Sequence, residues 1–125
     1  MGSLSRIGLH VAPNEELSRL RAITEVRPHE ITGADKTAIL ALSFPELAKR
    51  AAHAILPFDA LLLNKWARSG APGHGGACAA RFVLSVWDPG TKLSCGRFNM
   101  HEALQTWDDE HRKAFITWIQ NPWWP

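Results

Sequence analysis

The chain has 125 residues, of which 46% are hydrophobic and 21% charged. This length and composition match one ordinary globular domain and exclude the polar, charge-rich make-up of a disordered chain. The 14 Lys and Arg residues face 12 Asp and Glu residues, and this excess is too small to mark a nucleic-acid-binding surface.

The sequence shows no sign of a membrane or secretory segment. No apolar run approaches the roughly 20 residues that a membrane-spanning helix needs, and the first residues lack the apolar centre of a signal peptide. The two cysteines, Cys78 and Cys95, are too few for a disulfide-stabilised scaffold. We therefore expect a soluble, cytoplasmic protein that contacts no membrane and needs no cofactor.

Apolar residues recur every three or four positions along most of the chain, and helix-breaking or capping residues separate the periodic stretches. This pattern predicts an all-α fold. We expect a single compact bundle of about six or seven short helices over residues 14–125, with room for one short extended arm near residues 92–98. Residues 1–13 show no clear period, and we expect a mobile N-terminal segment there.

Capping signals place the first three predicted helices. Asn14 begins the first helix, which ends before Pro28, and the second begins near Asp35. Ser43 predicts the N-cap of the third, because Glu46 stands at the partner position of a capping box.

The fourth predicted helix begins at Phe58 or Asp59 and ends at Gly70, where we expect a left-handed C-cap. Residues of the third and fourth helices that should face the core share the helical spacing: Leu47, Ala51, Ile55, Leu62, Leu63 and Trp66. The next segment, residues 70–76, contains four glycines and predicts a flexible loop.

Residues 79–87 admit two interpretations. Phe82, Val83 and Val86 favour a strand by composition, whereas apolar residues at positions i, i+3, i+4, i+7 and i+8 favour a helix. We favour the helix, because the spacing holds over the whole stretch.

Two further helices complete the predicted bundle. Asn99 and Glu102 form a capping box for one, and Asp108 begins the last. The core-facing stripe predicted for the last helix is His111, Ala114, Phe115, Trp118 and Ile119.

The chain closes with residues 121–125, Asn-Pro-Trp-Trp-Pro. Packing of this tail against the chain's own core is the simpler expectation, because a buried tryptophan removes on the order of 200 Å² from water. The alternative is an exposed anchor for another protein or for a second copy, since tryptophan is enriched at binding hot spots. Both interpretations stay open.

Potential metal ligands form two close pairs. His74-x3-Cys78 is followed, after sixteen residues, by Cys95-x5-His101. Four soft ligands suit tetrahedral zinc, although the spacing matches no common zinc finger. Two buried thiols and two surface histidines are the simpler interpretation. A zinc-stabilised module or small metal-dependent enzyme built on these four residues is therefore our alternative hypothesis.

The sequence gives less support to catalysis or to DNA binding. Residues 107–112 place three acids beside a histidine, but acids matched to the positive end of a helix explain them more simply. The sequence has no nucleophile elbow and no phosphate loop, so no catalytic residue is assigned. A third hypothesis is a DNA-binding regulator with a helix-turn-helix over residues 43–68, but its four bases do not form a continuous stripe: Lys49, Arg50, Lys65 and Arg68.

The second half of the chain carries two distinctive motifs. W-D-x-x-H-R-x-A-F spans residues 107–115, and P-W-W-P spans residues 122–125. Over residues 61–125 the chain resembles small uncharacterised proteins carried on bacterial conjugative elements and related islands. The resemblance transfers no activity, but it implies a genetic setting in which accessory genes encode regulators or inhibitors that bind host defence complexes.

The sequence therefore predicts a non-enzymatic protein-binding accessory factor of a mobile element. Its partner would be another protein or a second copy of the chain, with nucleic acid not favoured. The candidate interaction residues are Trp123, Trp124, Asp108, Asp109 and Glu110.

Overall fold

The computed structural model of the chain describes residues 18–19, 31–90 and 93–125. From residue 31 onward, the described residues fold into seven α-helices. They are α1 (Gly33–Leu42), α2 (Pro45–Arg50), α3 (Ala52–Ile55), α4 (Ala60–Arg68), α5 (His74–Trp87), α6 (Met100–Thr106) and α7 (Asp109–Gln120). The described residues contain no named strand, so the predicted all-α bundle is confirmed for this part of the chain.

The N-terminal predictions fall largely outside the described residues. Residues 1–13 and most of the helix predicted from Asn14 are not among them. Within that predicted helix only Ser18 and Arg19 are described, and both are helical and exposed.

The long helix α5 lies at the centre of the bundle and contacts α1, α2, α4 and α6. Nine of its fourteen residues are buried, because neighbours cover it on several sides and it therefore needs apolar residues around most of its circumference. This explains why residues 79–87 also resemble a buried strand in composition. The helix prediction for that stretch is confirmed.

Aromatic side chains fill the centre of the core between α5, α6 and α7. Phe82 of α5 lies 5.1 Å from Phe115 of α7, ring centroid to ring centroid, in an edge-to-face arrangement. Trp107, between α6 and α7, lies 5.4 Å from Phe44 and 5.8 Å from Phe98. Such pairs add favourable ring electrostatics to the burial of apolar area.

Three local capping predictions are confirmed. Asp59, Asn99 and Asp108 are the N-caps of α4, α6 and α7, and each carboxylate or amide oxygen accepts a backbone N–H bond from the residue three positions later. The helix α1 begins two residues before the predicted start, because Thr32 accepts the bond from the Asp35 amide.

The predicted N-cap at Ser43 is wrong. Ser43 ends α1, where its hydroxyl donates to the Leu40 carbonyl, and Phe44 is the N-cap of α2 without a side-chain cap bond of its own. Pro45 occupies the first turn of α2, where the missing N–H of proline leaves no helix hydrogen bond unmade. Because the Ser43 hydroxyl is bonded to α1, it does not cap α2. The free backbone amide in the first turn of α2 therefore needs a hydrogen-bond partner from elsewhere in the fold.

The loop predicted over the glycine-rich residues 70–76 is shorter in the structure. Helix α5 already begins at His74, so Gly75 and Gly76 are helical. Close packing explains why a glycine stands at position 76 within the helix, because a Cβ atom there would lie 3.2 Å from the Trp66 ring. The left-handed cap predicted at Gly70 is also wrong, because among the described glycines only Gly96 has a positive φ, at 98°.

Some predicted core positions lie at the surface instead. Leu62 and Ile119 are 41% and 47% exposed, because each lies at the edge of its apolar stripe. Leu47, Ala51 and Ile55 are fully buried as predicted. The predicted arm near residues 92–98 has no strand in its described residues, 93–98, which form a turn around Ser94 and Cys95.

Candidate functional site

The C-terminal tail packs against the chain's own α7 and against the start of α1. The Trp118 indole donates to the Trp123 carbonyl at 3.2 Å, and the Trp118 and Trp124 rings meet edge to face at 5.3 Å. Pro125 lies so close to Gly33 that a Cβ atom added there would be 2.7 Å from the Pro125 Cβ. The tail is thus docked, yet Trp124 remains 56% exposed.

A groove runs between α1 and α7 beside this tail and encloses about 630 Å³. Its apolar lining comes from both helices and from the tail: Ile39, Leu40, Leu42, Ala114, Trp118 and Trp123. Polar side chains complete the lining: Ser43, Glu110, Lys113, Thr117 and Asn121. We call this surface the α1–α7 groove.

The groove collects some of the predicted interaction residues and leaves others outside. Trp123 and Glu110 are part of its lining, and Trp124 contacts Trp118, which also lines it. Asp108 and Asp109 are not among the lining residues. Asp108 instead caps α7, and the Asp109 carboxylate lies 3.9 Å from the Arg112 guanidinium.

A second candidate site lies where α5 and α6 begin. The ligand atoms of His74, Cys78 and Glu102 all lie within 4.8 Å of one another. His74 and Cys78 are four residues apart and therefore share one face of α5. Glu102 reaches them from the first turn of α6, where the Asn99 cap fixes the start of the helix.

The electrostatics of this His74–Cys78–Glu102 cluster follow from its half-buried position. The ring Nε2 of His74 and the Glu102 carboxylate form a close hydrogen-bonded pair, and this bond is the main cause that lowers the pKa of Glu102. Burial raises the pKa of the Cys78 thiol, and the nearby Glu102 charge raises it further. The thiol is therefore protonated at neutral pH and is not an activated nucleophile.

The structure brings together only half of the zinc-ligand set predicted from sequence. His74 and Cys78 lie in the cluster, whereas Cys95 and His101 do not belong to it. The amide of Cys95 donates to the buried Asn64 side chain at 2.9 Å, and the Cys95 carbonyl accepts from Arg81 at 2.8 Å. His101 is exposed on α6.

Sequence reasoning missed Glu102 as a member of this cluster because it assigned the carboxylate to the capping box. The amide half of that box forms, but the carboxylate turns toward His74 and toward Arg81, whose guanidinium lies 3.8 Å away. The sequence did contain a signal for this role of Glu102. An acid three residues after an N-cap lies at the exposed start of a helix, and its side chain can reach a neighbouring helix. The identity of that neighbour depends on the tertiary fold.

The bases proposed for DNA contact include one that is engaged within the chain. The Arg50 guanidinium donates to the Ala71 carbonyl at 3.2 Å and lies 3.6 Å from the Glu46 carboxylate. This pairing leaves Arg50 less available to a phosphate than the sequence alone suggests.

Among the described residues, every helix is too short or too polar to cross a bilayer. The chain matches no protein-family model, no curated protein and no solved structure at a significant level. Its function must therefore be inferred from the α1–α7 groove and the His74–Cys78–Glu102 cluster themselves.

Proposed function

We propose that the protein is a non-enzymatic binding factor that accepts an amphipathic helix of a partner protein in the α1–α7 groove. The observation that supports this proposal is the groove itself, with two tryptophans in its lining and a third, Trp124, exposed beside it. Helix-in-groove recognition uses this kind of apolar channel between two helices. Tryptophans supply large contact area and are frequent hot spots of such interfaces.

The charges around the groove define the expected partner further. Glu110 and Lys113 stand one turn apart among its lining residues, and the Lys36 ammonium lies 5.6 Å from the Trp123 ring centroid. A partner helix that carries apolar residues at i, i+3, i+4 and i+7, flanked by charges of both signs, would match this surface. The mobile-element setting implied by the sequence resemblance is consistent with such a host-directed partner and remains part of the proposal.

Site-specific photocrosslinking tests the proposal with a matched pair of positions. Thr117 lines the groove, whereas Thr106, at the end of α6, does not, and both are exposed. A photoreactive phenylalanine analogue at position 117 should crosslink a partner protein in native-host lysate through an amphipathic helical segment. The same analogue at position 106 should not.

A synthetic peptide of the crosslinked segment then provides the binding measurement. It should bind the purified protein and the variant Thr106→Arg equally, and it should lose at least about 10-fold in affinity for Thr117→Arg, because the new side chain fills the groove. Crosslinks from position 117 that stay within the chain, or that match those from position 106, would contradict the proposal.

A further inference from the structure

The cluster at the start of α5 holds three different donor types around one point. His74 offers an imidazole nitrogen, Cys78 a sulfur and Glu102 a carboxylate oxygen, all within 4.8 Å of one another. Zinc is the common biological cation that takes nitrogen, sulfur and oxygen donors together, whereas magnesium and calcium avoid sulfur. From this geometry we infer that His74, Cys78 and Glu102 form a three-ligand zinc site.

The spacing of the donors is compatible with one ion. Zinc–ligand distances of about 2.0–2.3 Å place two donors of a tetrahedral ion about 3–4 Å apart. Donors that lie within 4.8 Å of one another therefore need shifts of only about 1 Å to surround one zinc ion. The residues that must move can do so, because the side chains of His74 and Glu102 are 60% and 37% exposed, while Cys78 is held in the core.

The surroundings supply the support that metal ligands usually have. The Arg81 guanidinium lies 3.8 Å from one Glu102 oxygen, and the other oxygen is the one directed toward His74. An outer partner on a ligating carboxylate fixes its orientation. The indole of Trp107 also donates to the Gly75 carbonyl at 3.0 Å, which ties the end of α6 to the first turn of α5 next to His74.

The site is half open. Cys78 is 1% exposed, whereas His74 lies at the surface, so an ion can enter from solvent and settle against the buried sulfur. Binding converts the thiol to a thiolate and releases its proton to solvent, while zinc takes the place of the hydrogen-bonded contact between His74 and Glu102. Three protein ligands leave a fourth tetrahedral position for water.

Metal titration of the full chain tests this inference with controls that the sequence provides. Purified protein freed of metal should bind one zinc ion in competition with a chromophoric chelator, and cobalt in place of zinc should give a thiolate-to-metal charge-transfer band. His74→Ala, Cys78→Ser and Glu102→Gln should each weaken zinc binding at least about 10-fold, since loss of even an outer partner costs about that much. Cys95→Ser and His101→Ala should bind zinc like the wild type.

Several outcomes would overturn the site. These are the absence of stoichiometric binding, a cobalt complex without the thiolate band, or equal losses in Cys95→Ser and Cys78→Ser. If Cys78→Ser does not fold, the exposed variants His74→Ala and Glu102→Gln, with circular dichroism as a folding control, decide the question. The result is independent of the α1–α7 groove, which none of these substitutions touches.

Discussion

The imidazole of His111 caps a helix 65 residues away in sequence: its Nε2 atom accepts a hydrogen bond from the Glu46 backbone amide at 3.2 Å. The other ring nitrogen, Nδ1, lies 2.8 Å from the Asp108 carboxylate. Because the amide can only donate, Nε2 must be the unprotonated nitrogen, and Nδ1 carries the proton that is donated to Asp108. A single buried ring thereby joins the first turns of α2 and α7.

His111→Ala should destabilise the protein by at least about 1–3 kcal/mol, since it leaves the part-buried Glu46 amide without a partner. The ring also packs against Phe44, at 5.9 Å between centroids, so lost packing adds to this cost. Urea unfolding measures the change. The matched control is His101→Ala on the surface of α6, expected within about 0.5 kcal/mol of wild type; similar values for the two variants would contradict the capping role.

Acid should weaken the contribution that the ionised Asp108 carboxylate makes to the stability of the folded protein. Bonds from the backbone and side chain of His111 hold the pKa of this carboxyl below its usual value of 3.8. A lowered folded-state pKa means that the ionised form stabilises the protein above the unfolded pKa, and that this stabilisation is lost as the pH falls through the folded pKa.

Comparison with Asp108→Asn isolates this charge, because asparagine also caps helices well. Wild type should be more stable than Asp108→Asn at pH 7, by less than about 1 kcal/mol, since the side chain is largely exposed and solvent screens its charge. In urea unfolding followed from neutral pH down to about pH 3, below the ordinary pKa of aspartate, the difference should shrink. If the difference in unfolding free energy between the two proteins stays constant with pH, the charge of Asp108 does not contribute to stability.

Trp107→Ala should be among the most destabilising single changes, at about 3–5 kcal/mol. Trp107 is 3% exposed, stacks in the aromatic centre and donates its indole proton to Gly75. The sequence pattern also places Trp118 on the core-facing stripe of α7, but Trp118 is only half buried. Thermal and urea unfolding should rank Trp107→Ala above Trp118→Ala, and both above Trp124→Ala; the reverse order would refute the assigned centre of the core.

The effects on stability of Gly33→Ala and of deleting the C-terminal tail, residues 122–125, should be coupled. Gly33 is helical and has no positive φ, so alanine would by itself stabilise the helix by about 0.4–1 kcal/mol. In the full chain its Cβ meets Pro125, and we expect Gly33→Ala to destabilise by about 1 kcal/mol instead.

Deletion of residues 122–125 removes that contact and should turn the effect of Gly33→Ala favourable. A double-mutant cycle of the two changes, followed by urea unfolding, measures the coupling. The deletion alone should also lower stability, because Trp123 packs against the core. Additive effects would show that the tail does not rest on α1 in solution.

Local signals determined much of the helix layout. Asp59, Asn99 and Asp108 cap helices as expected, because each bond joins residues only three positions apart. The helical character of residues 79–87 likewise followed from periodicity alone. Where local logic failed, at Ser43, a hydroxyl had two possible partners, and the sequence does not say which one it binds.

The sequence by itself thus determined the fold class, the starts of α4, α6 and α7, and the presence of an aromatic-rich C-terminal half. Only the tertiary structure decided that His111 caps α2, that Glu102 rather than Cys95 joins His74 and Cys78, and that the tail lies beside a groove. The physical reason is separation along the chain. Caps and stripes depend on neighbours three or four residues apart, whereas contacts between residues 28 or 65 positions apart exist only once the packing of whole helices brings those residues together.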